Sequence, residues 1–430
     1  MVNIAAIYST LGNPKSLIPL AVKDISATTG MTAASFATGK EEGQDRFIDE
    51  IGTEAIWLLG IPGFKWLFDK TVFKALGLDA NFDARNFKHK EVLEKIKEFA
   101  PTEEIKANIE KITDKELIFK RAAMSKFFVA TSLAIGSYIG LTRFKQKFTE
   151  NKIRQNLIAE HQVNQPKSDE TKGVNVSFKG AGGKILEEFA FNPVKNMWIL
   201  DGAITGERLK DSRTPQEFVG YGIKEASTLF FMYYAGGKIQ ELLEKAAKKQ
   251  GKSISLDARV LEGDMLKNAF KDGSIEKCLE EFKQVIKLEE SSGTFNRVNV
   301  YEFLHKNPDN TVVKTAKASD IIQMYKDTGK IDTRKYIDLN DFKGVGEKIE
   351  ELYLQYKSAI SNGETPDQFF EAVKKLKRKS IRTNIGTCIL ALGVLTPAIM
   401  LTKRLMGKDD QEFQTKKEIR EQLIKEGVIC

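Results

Sequence analysis

The chain has little cysteine and little histidine. Its three cysteines, Cys278, Cys388 and Cys430, are far apart, odd in number and never form C-x-x-C. A disulfide framework is not expected from such spacing, and a reducing compartment is. The three histidines, His89, His161 and His305, occupy no H-E-x-x-H or other metal-ligand spacing, so no metal and no cofactor is expected. No G-x-S-x-G elbow is present and no Ser-His-Asp set can be assembled from local signals. Lys179-Gly180-Ala181-Gly182-Gly183-Lys184-Ile185 lacks the G-x-x-x-x-G spacing of a phosphate loop and has Ile185 where a Mg²⁺-binding hydroxyl belongs. With no catalytic constellation to name, a non-enzymatic protein is the expectation. Met1-Val2-Asn3-Ile4 has no basic lead-in, and Gly12-Asn13-Pro14 interrupts the apolar stretch, so no secretory signal is expected there.

The chain is instead rich in length, charge and apolar runs. At 430 residues, 41% hydrophobic and 29% charged, it is a folded protein long enough for two or three domains. Its net charge of +8 favours anionic partners, an anionic membrane surface first among them. The 59 acids spread among 67 bases keep that preference mild.

The second feature is repetition. Ala27-Thr28-Thr29-Gly30 recurs as Ala203-Ile204-Thr205-Gly206, and Phe47 with Glu54-Ala55 as Phe218 with Glu225-Ala226. Asp83-Ala84-Arg85 recurs as Asp257-Ala258-Arg259, and Ile153-Arg154 with Leu157-Ile158 as Ile419-Arg420 with Leu423-Ile424. The matches keep one order. They divide the chain into a first copy at 1–165, a linker at 166–189 and a second copy at 190–430. Residues 262–372 have no counterpart and read as an insertion, a small domain of its own.

Each copy ends in an uncharged run fenced by bases. Thr383–Thr402 carries no charge, lies between Lys379, Arg382 and Lys403, Arg404, and would span about 30 Å as a helix, one hydrocarbon core. Phe127–Thr142 is shorter, about 24 Å, and requires Lys126 and Arg143 to snorkel. Within it Ser132, Gly136 and Gly140 make a small-residue stripe that would let a second helix approach, in this chain or in a partner. Shorter aromatic stretches precede both runs, Ala55–Phe64 and Ala226–Gly237. Pro62-Gly63 and Gly236-Gly237 are expected to break them. One crossing per copy would set related segments on opposite sides of a bilayer, whereas two crossings, or none, keep them on one side.

The pattern predicts a mainly α fold with minor β. Thr214-Pro215-Gln216-Glu217 and Thr365-Pro366-Asp367-Gln368 are capping boxes that open helices. Val174, Val176 and Phe178 alternate like a strand, and Arg297-Val298-Asn299-Val300-Tyr301 reads as another. Phe342-Lys343-Gly344-Val345-Gly346-Glu347-Lys348 resembles the hairpin of helix-hairpin-helix modules over these few residues and departs from it at Glu350 and Glu351. The resemblance implies that Gly344, Gly346 and Lys348 would contact a nucleic-acid phosphate. An ordinary Gly-rich turn is the alternative.

These patterns support three functional expectations, in order. The first is a membrane-associated structural or scaffolding protein with its soluble parts in a reducing compartment. The second is a soluble helical interaction or self-associating module. The third is nucleic-acid binding through 342–348.

Overall fold

The structure is a computed structural model and describes residues 4–13, 16–161, 192–212, 215–291, 297–325, 328–406 and 414–429. The chain is mainly helical. Its principal helices begin with α1 (Ile4–Leu11), α2 (Ile18–Thr38), α3 (Lys40–Ala55), α4 (Glu116–His161), α5 (Pro193–Lys210) and α6 (Pro215–Leu229). They continue with α7 (Ser274–Ser291), α8 (Val298–Lys306), α9 (Leu339–Ser361), α10 (Pro366–Leu390), α11 (Thr396–Met406) and α12 (Gln414–Lys425). No strand occurs among the described residues; a single isolated bridge pairs Met324 with Ile331. The residues 174–178 and the capping box at 214–217 lie outside the residues whose side chains are described.

Arg297–Tyr301, expected as a strand, instead opens α8. The cause is a carboxylate that local pattern does not reveal. Glu289, fully buried on α7, accepts the backbone N–H groups of Arg297 (3.0 Å) and Asn299 (2.7 Å). It thereby satisfies the orphan donors of a helix start. The box at Thr365 forms as expected: Gln368 N–H donates to Thr365 Oγ1 (3.3 Å) and Thr365 N–H to Gln368 Oε1 (2.8 Å).

Pro62-Gly63 and Gly236-Gly237 do not break their helices. Each stretch contains a π-turn, Ile56–Gly60 and Phe230–Ala235, and runs on as helix. A third π-turn, Ala391–Leu395, precedes Pro397, and there Thr396 Oγ1 bonds back to the Ala391 carbonyl (2.9 Å). The wider turn re-registers the backbone where proline supplies no N–H, so the helix absorbs it.

The chain divides into two compact units, and neither is a sequential half. Unit 1 comprises Met1–Pro19, Trp66–Lys126 and Gly237–Ile385; unit 2 comprises Leu20–Lys65, Phe127–Gly236 and Gly386–Cys430. Unit 1 has an ordinary apolar core. Phe73, Phe82 and Phe87 each meet Phe119 at 5.5–5.9 Å, and Phe270 meets Tyr353, Tyr356 and Phe370 at 4.9–5.5 Å. The stretch 262–372 packs on 66–126 within unit 1. Arg334 pairs with Asp79 (2.7 Å), its carbonyl accepts the Asp83 N–H (2.9 Å), and His305 stacks on Phe99 at 4.1 Å.

Asp83 and Arg85 close a local ring in which Asp83 accepts both the backbone N–H and the guanidinium of Arg85. Asp257 with Arg259 does the same. So does Asp332 with Arg334, inside the unrepeated stretch. The D-x-R match is therefore a capping device that recurs three times among the described residues, and it carries little weight as a sign of duplication.

In unit 2 the helices touch backbone to backbone. A Cβ on Gly30 would lie 2.2 Å from the Gly393 carbonyl oxygen, and one on Gly393 would lie 2.5 Å from Ser26 Oγ. Elsewhere in the unit, Ile153 and Leu157 of α4 pack with Ile419 and Leu423 of α12.

Glu289→Ala is expected to destabilise the chain by about 3 kcal/mol, the loss of charge-assisted bonds to buried N–H groups. A lowered midpoint of thermal unfolding for the full chain, with 297–306 becoming the first site of limited proteolysis, checks this.

Candidate functional site

Ordinary helices bury their apolar stripe. In unit 2, α3 buries Asp45, Asp49, Glu50 and Glu54 and exposes Phe47 and Ile51. Helix α6 buries Tyr221, Lys224, Glu225 and Thr228 and exposes Phe218 and Val219. On α4 the inward residues include Tyr138, Thr142, Lys145 and Thr149, while Phe128, Val129, Leu133, Phe144 and Phe148 face out. Helix α5 adds Arg208 inside and Trp198 outside. The charge is inside and these apolar residues are outside, while a second apolar set that includes Met31, Trp57, Phe127, Leu157 and Leu200 is buried with the charge.

Arg208 is the centre of the buried set. Its Nη2 lies 3.3 Å from Asp49 Oδ2 and 3.7 Å from Glu50 Oε2. Its Nη1 donates to Glu225 Oε1, its Nε to Tyr138 OH (3.0 Å) and its Nη2 also to Thr53 Oγ1 (3.0 Å). A planar fork suits this role, because an ammonium cannot reach several acceptors in fixed directions.

Two lysines complete the pairing. Lys145 lies 3.7 Å from both Asp45 and Asp49 and donates to Tyr221 OH (3.2 Å). Lys224 lies 3.2 Å from Glu50 and 3.0 Å from Glu225. Arg46 reaches Glu50 at 3.4 Å and sits over the Tyr221 ring at 4.8 Å. The arrangement ties α3, α4, α5 and α6 into one ionic core.

A second set of carboxyls lies at its margin. Thr28 donates to Glu54 Oε1 (3.0 Å), and Tyr233 OH bonds to Asp201. Asp24 stands in hydrogen-bond contact with Glu54. No ion pair to Asp24, Glu54 or Asp201 forms among the described residues. No group of three or more His, Cys, Asp or Glu side chains is disposed to hold a metal among the described residues.

The residues singled out from sequence lie elsewhere. Ser132, Gly136 and Gly140 form an outward stripe on α4, with open space beside Gly136 and Gly140. A close helix approach in unit 2 is made by Gly30 and Gly393. The segment 342–348 is not a turn. It lies inside α9, where Phe342 and Gly346 are buried and a Cβ on Gly346 would fall 2.1 Å from Phe282. The amides of Gly344 and Gly346 are interior to a helix, so the hairpin that would turn N–H groups toward a phosphate is absent. Lys348 is exposed.

The ionic core was missed because each residue, taken singly, reads as solvated surface. One signal pointed to it: on α3 and α6 the charged residues recur at helical spacing opposite Phe47 and Phe218, which are themselves at matched places.

Two helices are long and apolar enough to cross a membrane, Glu116–Glu160 and the continuous stretch Pro366–Thr402. Of their apolar windows, 28% and 39% are buried. No protein-family model, curated protein or solved structure matches the chain.

Removing one partner from a buried charge network leaves the others uncompensated. Arg208→Gln is therefore expected to cost about 3–5 kcal/mol, read as a lowered unfolding midpoint of the purified chain in detergent. Glu241→Gln, in an exposed pair with Lys238 and Lys245, is expected to leave that midpoint unchanged.

Proposed function

We propose that the protein is a non-enzymatic, membrane-embedded helical scaffold built from two divergent copies of one unit. The observation that carries the embedding is the polarity of unit 2. A soluble unit would incur two costs at once, one for exposing Phe47, Leu133, Phe144, Phe218 and Val394 to water and one for burying a charged core. In lipid the first cost vanishes. The second becomes the normal state of intramembrane charges, which face the interior and pair with one another. Among the described residues Cys278 and Cys388 are in no disulfide, which accords with soluble parts in a reducing compartment.

Three features support the duplication. Helix α2 followed by α3, and α5 followed by α6, bear the matched sequences in the same order, and each pair is followed by a π-turn. Glu54 and the matched Glu225 each accept a threonine hydroxyl, from Thr28 (3.0 Å) and Thr205 (3.4 Å), although these two threonines are neighbouring and not matched positions of the repeat. The matched segments around Ile153 and Ile419 pack on each other, as repeats related by an approximate two-fold would. Scaffolding is favoured over catalysis because the ionic core is closed on itself and presents no nucleophile beside a base. The inherited framework is the pair of copies, and 262–372 is the stretch that distinguishes this chain.

Passage of protons or small cations is a second reading. Buried Glu54 and half-buried Asp24 and Asp201 favour it, as carboxyls that form no ion pair among the described residues. Pathways through membrane bundles use such groups. Proteoliposomes showing a pH- or cation-driven flux that Glu54→Gln abolishes would replace the scaffold reading with this one.

Lysine substitution separates a lipid-facing surface from a water-facing one. Leu133→Lys and Val394→Lys would be near neutral on a soluble surface. In lipid each is expected to cost roughly 2.5–3.5 kcal/mol of insertion, measured as loss of the chain from alkali-extracted membranes. The unaltered chain is expected to stay in the membrane pellet at alkaline pH. Its quantitative release would end the embedded reading.

A further inference from the structure

The ionic core of unit 2 is balanced within itself. Its carboxylates are Asp45, Asp49, Glu50 and Glu225, and its cations are Arg46, Lys145, Arg208 and Lys224. Each of these charges has a partner of opposite sign inside the set, so the set leaves no cation over. Lys23, another buried lysine of the unit, is in hydrogen-bond contact with the sulfur of Cys388.

Beside this closed set two further carboxyls face each other. Asp24 on α2 is in hydrogen-bond contact with Glu54 on α3. Glu54 is only 8% exposed, and its Oε2 meets no donor. Its other oxygen, Oε1, accepts from Thr28 (3.0 Å). The charged groups around the pair are Glu50 on α3, Lys224 and Glu225 on α6, and Asp201 on α5. Lys224 is held by Glu50 (3.2 Å) and Glu225 (3.0 Å), and Asp201 takes its hydrogen bond from Tyr233. The one cation near the pair is therefore bonded elsewhere, and its other charged neighbours are acids.

A hydrogen bond needs a donor, and an ionised carboxylate is an acceptor only. Two ionised carboxylates in contact, one of them buried, would repel each other with no water to screen them. The unsatisfied Oε2 of Glu54 marks the place of the missing donor. We propose that Asp24 and Glu54 form a proton-binding site, in which one proton is shared between the two carboxyls and joins α2 to α3. The O–H of one carboxyl donates to the oxygen of the other. Asp24 is the half-buried member, so the proton exchanges on its side. Loss of the proton leaves two carboxylates in contact, and the pairing of α2 with α3 weakens as pH rises. The site does not require lipid around unit 2, because Glu54 is buried by the fold itself. It also differs from proton passage, since a shared proton can be held without being handed on.

The test uses the full chain purified in a nonionic detergent. Infrared spectra read the carbonyl stretch of a protonated carboxyl, which lies apart from that of a carboxylate. At near-neutral pH the unaltered chain is expected to show this stretch, and Asp24→Asn/Glu54→Gln to lose the intensity of one carboxyl. Asp201→Asn should leave the stretch of the pair in place. Thermal unfolding gives a second readout. The folded chain holds a proton that the unfolded chain releases, so the unfolding midpoint of the unaltered chain should fall from near-neutral to alkaline pH. Glu54→Gln supplies an N–H where the proton stands, so its midpoint should hold better over that interval and exceed that of the unaltered chain at alkaline pH. A carboxyl with a merely structural role would instead give a variant less stable at every pH. Absence of the stretch from the unaltered chain at near-neutral pH overturns the proposal and needs no variant to fold. An undiminished stretch in the double variant overturns it too, as does loss of the stretch in Asp201→Asn alone, which would put the proton at Asp201. A Glu54→Gln midpoint below that of the unaltered chain at both pH values also overturns it. None of these readouts uses alkaline extraction of membranes, so the site and the embedded reading stand or fall separately.

Discussion

The guanidinium of Arg208 is the constraint on which unit 2 depends. Asp49, Glu50 and Glu225 are brought out of water together, and without a cation among them the helices that carry them would repel one another. Arg208 supplies charge and direction at once. Lys145 and Lys224 then neutralise the flanks, and Tyr138 and Tyr221 line the space between cations and helix backbone. Once those side chains point inward, Phe47, Ile51, Phe218 and Val219 on the same helices face outward.

Unit 1 follows the opposite rule. Its aromatic clusters are buried, its Lys and Glu pairs are exposed, and its loops are tied by Asp-x-Arg rings that satisfy backbone donors with side chains. The chain alternates between the two units, three stretches to each, so a sequence window does not belong to one environment. That alternation explains why 262–372 reads as an insertion yet packs with residues near Asp79 and Phe99. An unrepeated segment can complete a core that the repeated segments leave open.

Several features were legible locally. The capping box at Thr365 forms because its partners are three residues apart, and local hydrogen bonds need no tertiary information. The apolar runs were legible because length and absence of charge are properties of a segment. The supposed strand at Arg297 failed because its backbone is capped by Glu289, whose position depends on how α7 packs. The supposed turn at Gly344 failed because the second glycine of the pair, Gly346, provides clearance for Phe282, and an i+2 glycine pair looks the same for a turn as for a close side-chain contact. Pro62-Gly63 failed as a helix breaker because a π-turn changes the hydrogen-bond register, which residue identity does not announce.

By itself the sequence determined a helical chain, two basic-fenced uncharged runs and an ordered set of internal matches, since these are properties of composition, spacing and order. Only the tertiary structure decided which face of each helix turns inward. A charged residue at a given helical position is equally compatible with water outside and with a counter-charge inside. The choice is made by partners such as Arg208 and Glu225, brought together by packing. It was packing, too, that put Lys377 against a carbonyl and left Lys375 and Lys379 facing out, dividing one basic block between two faces.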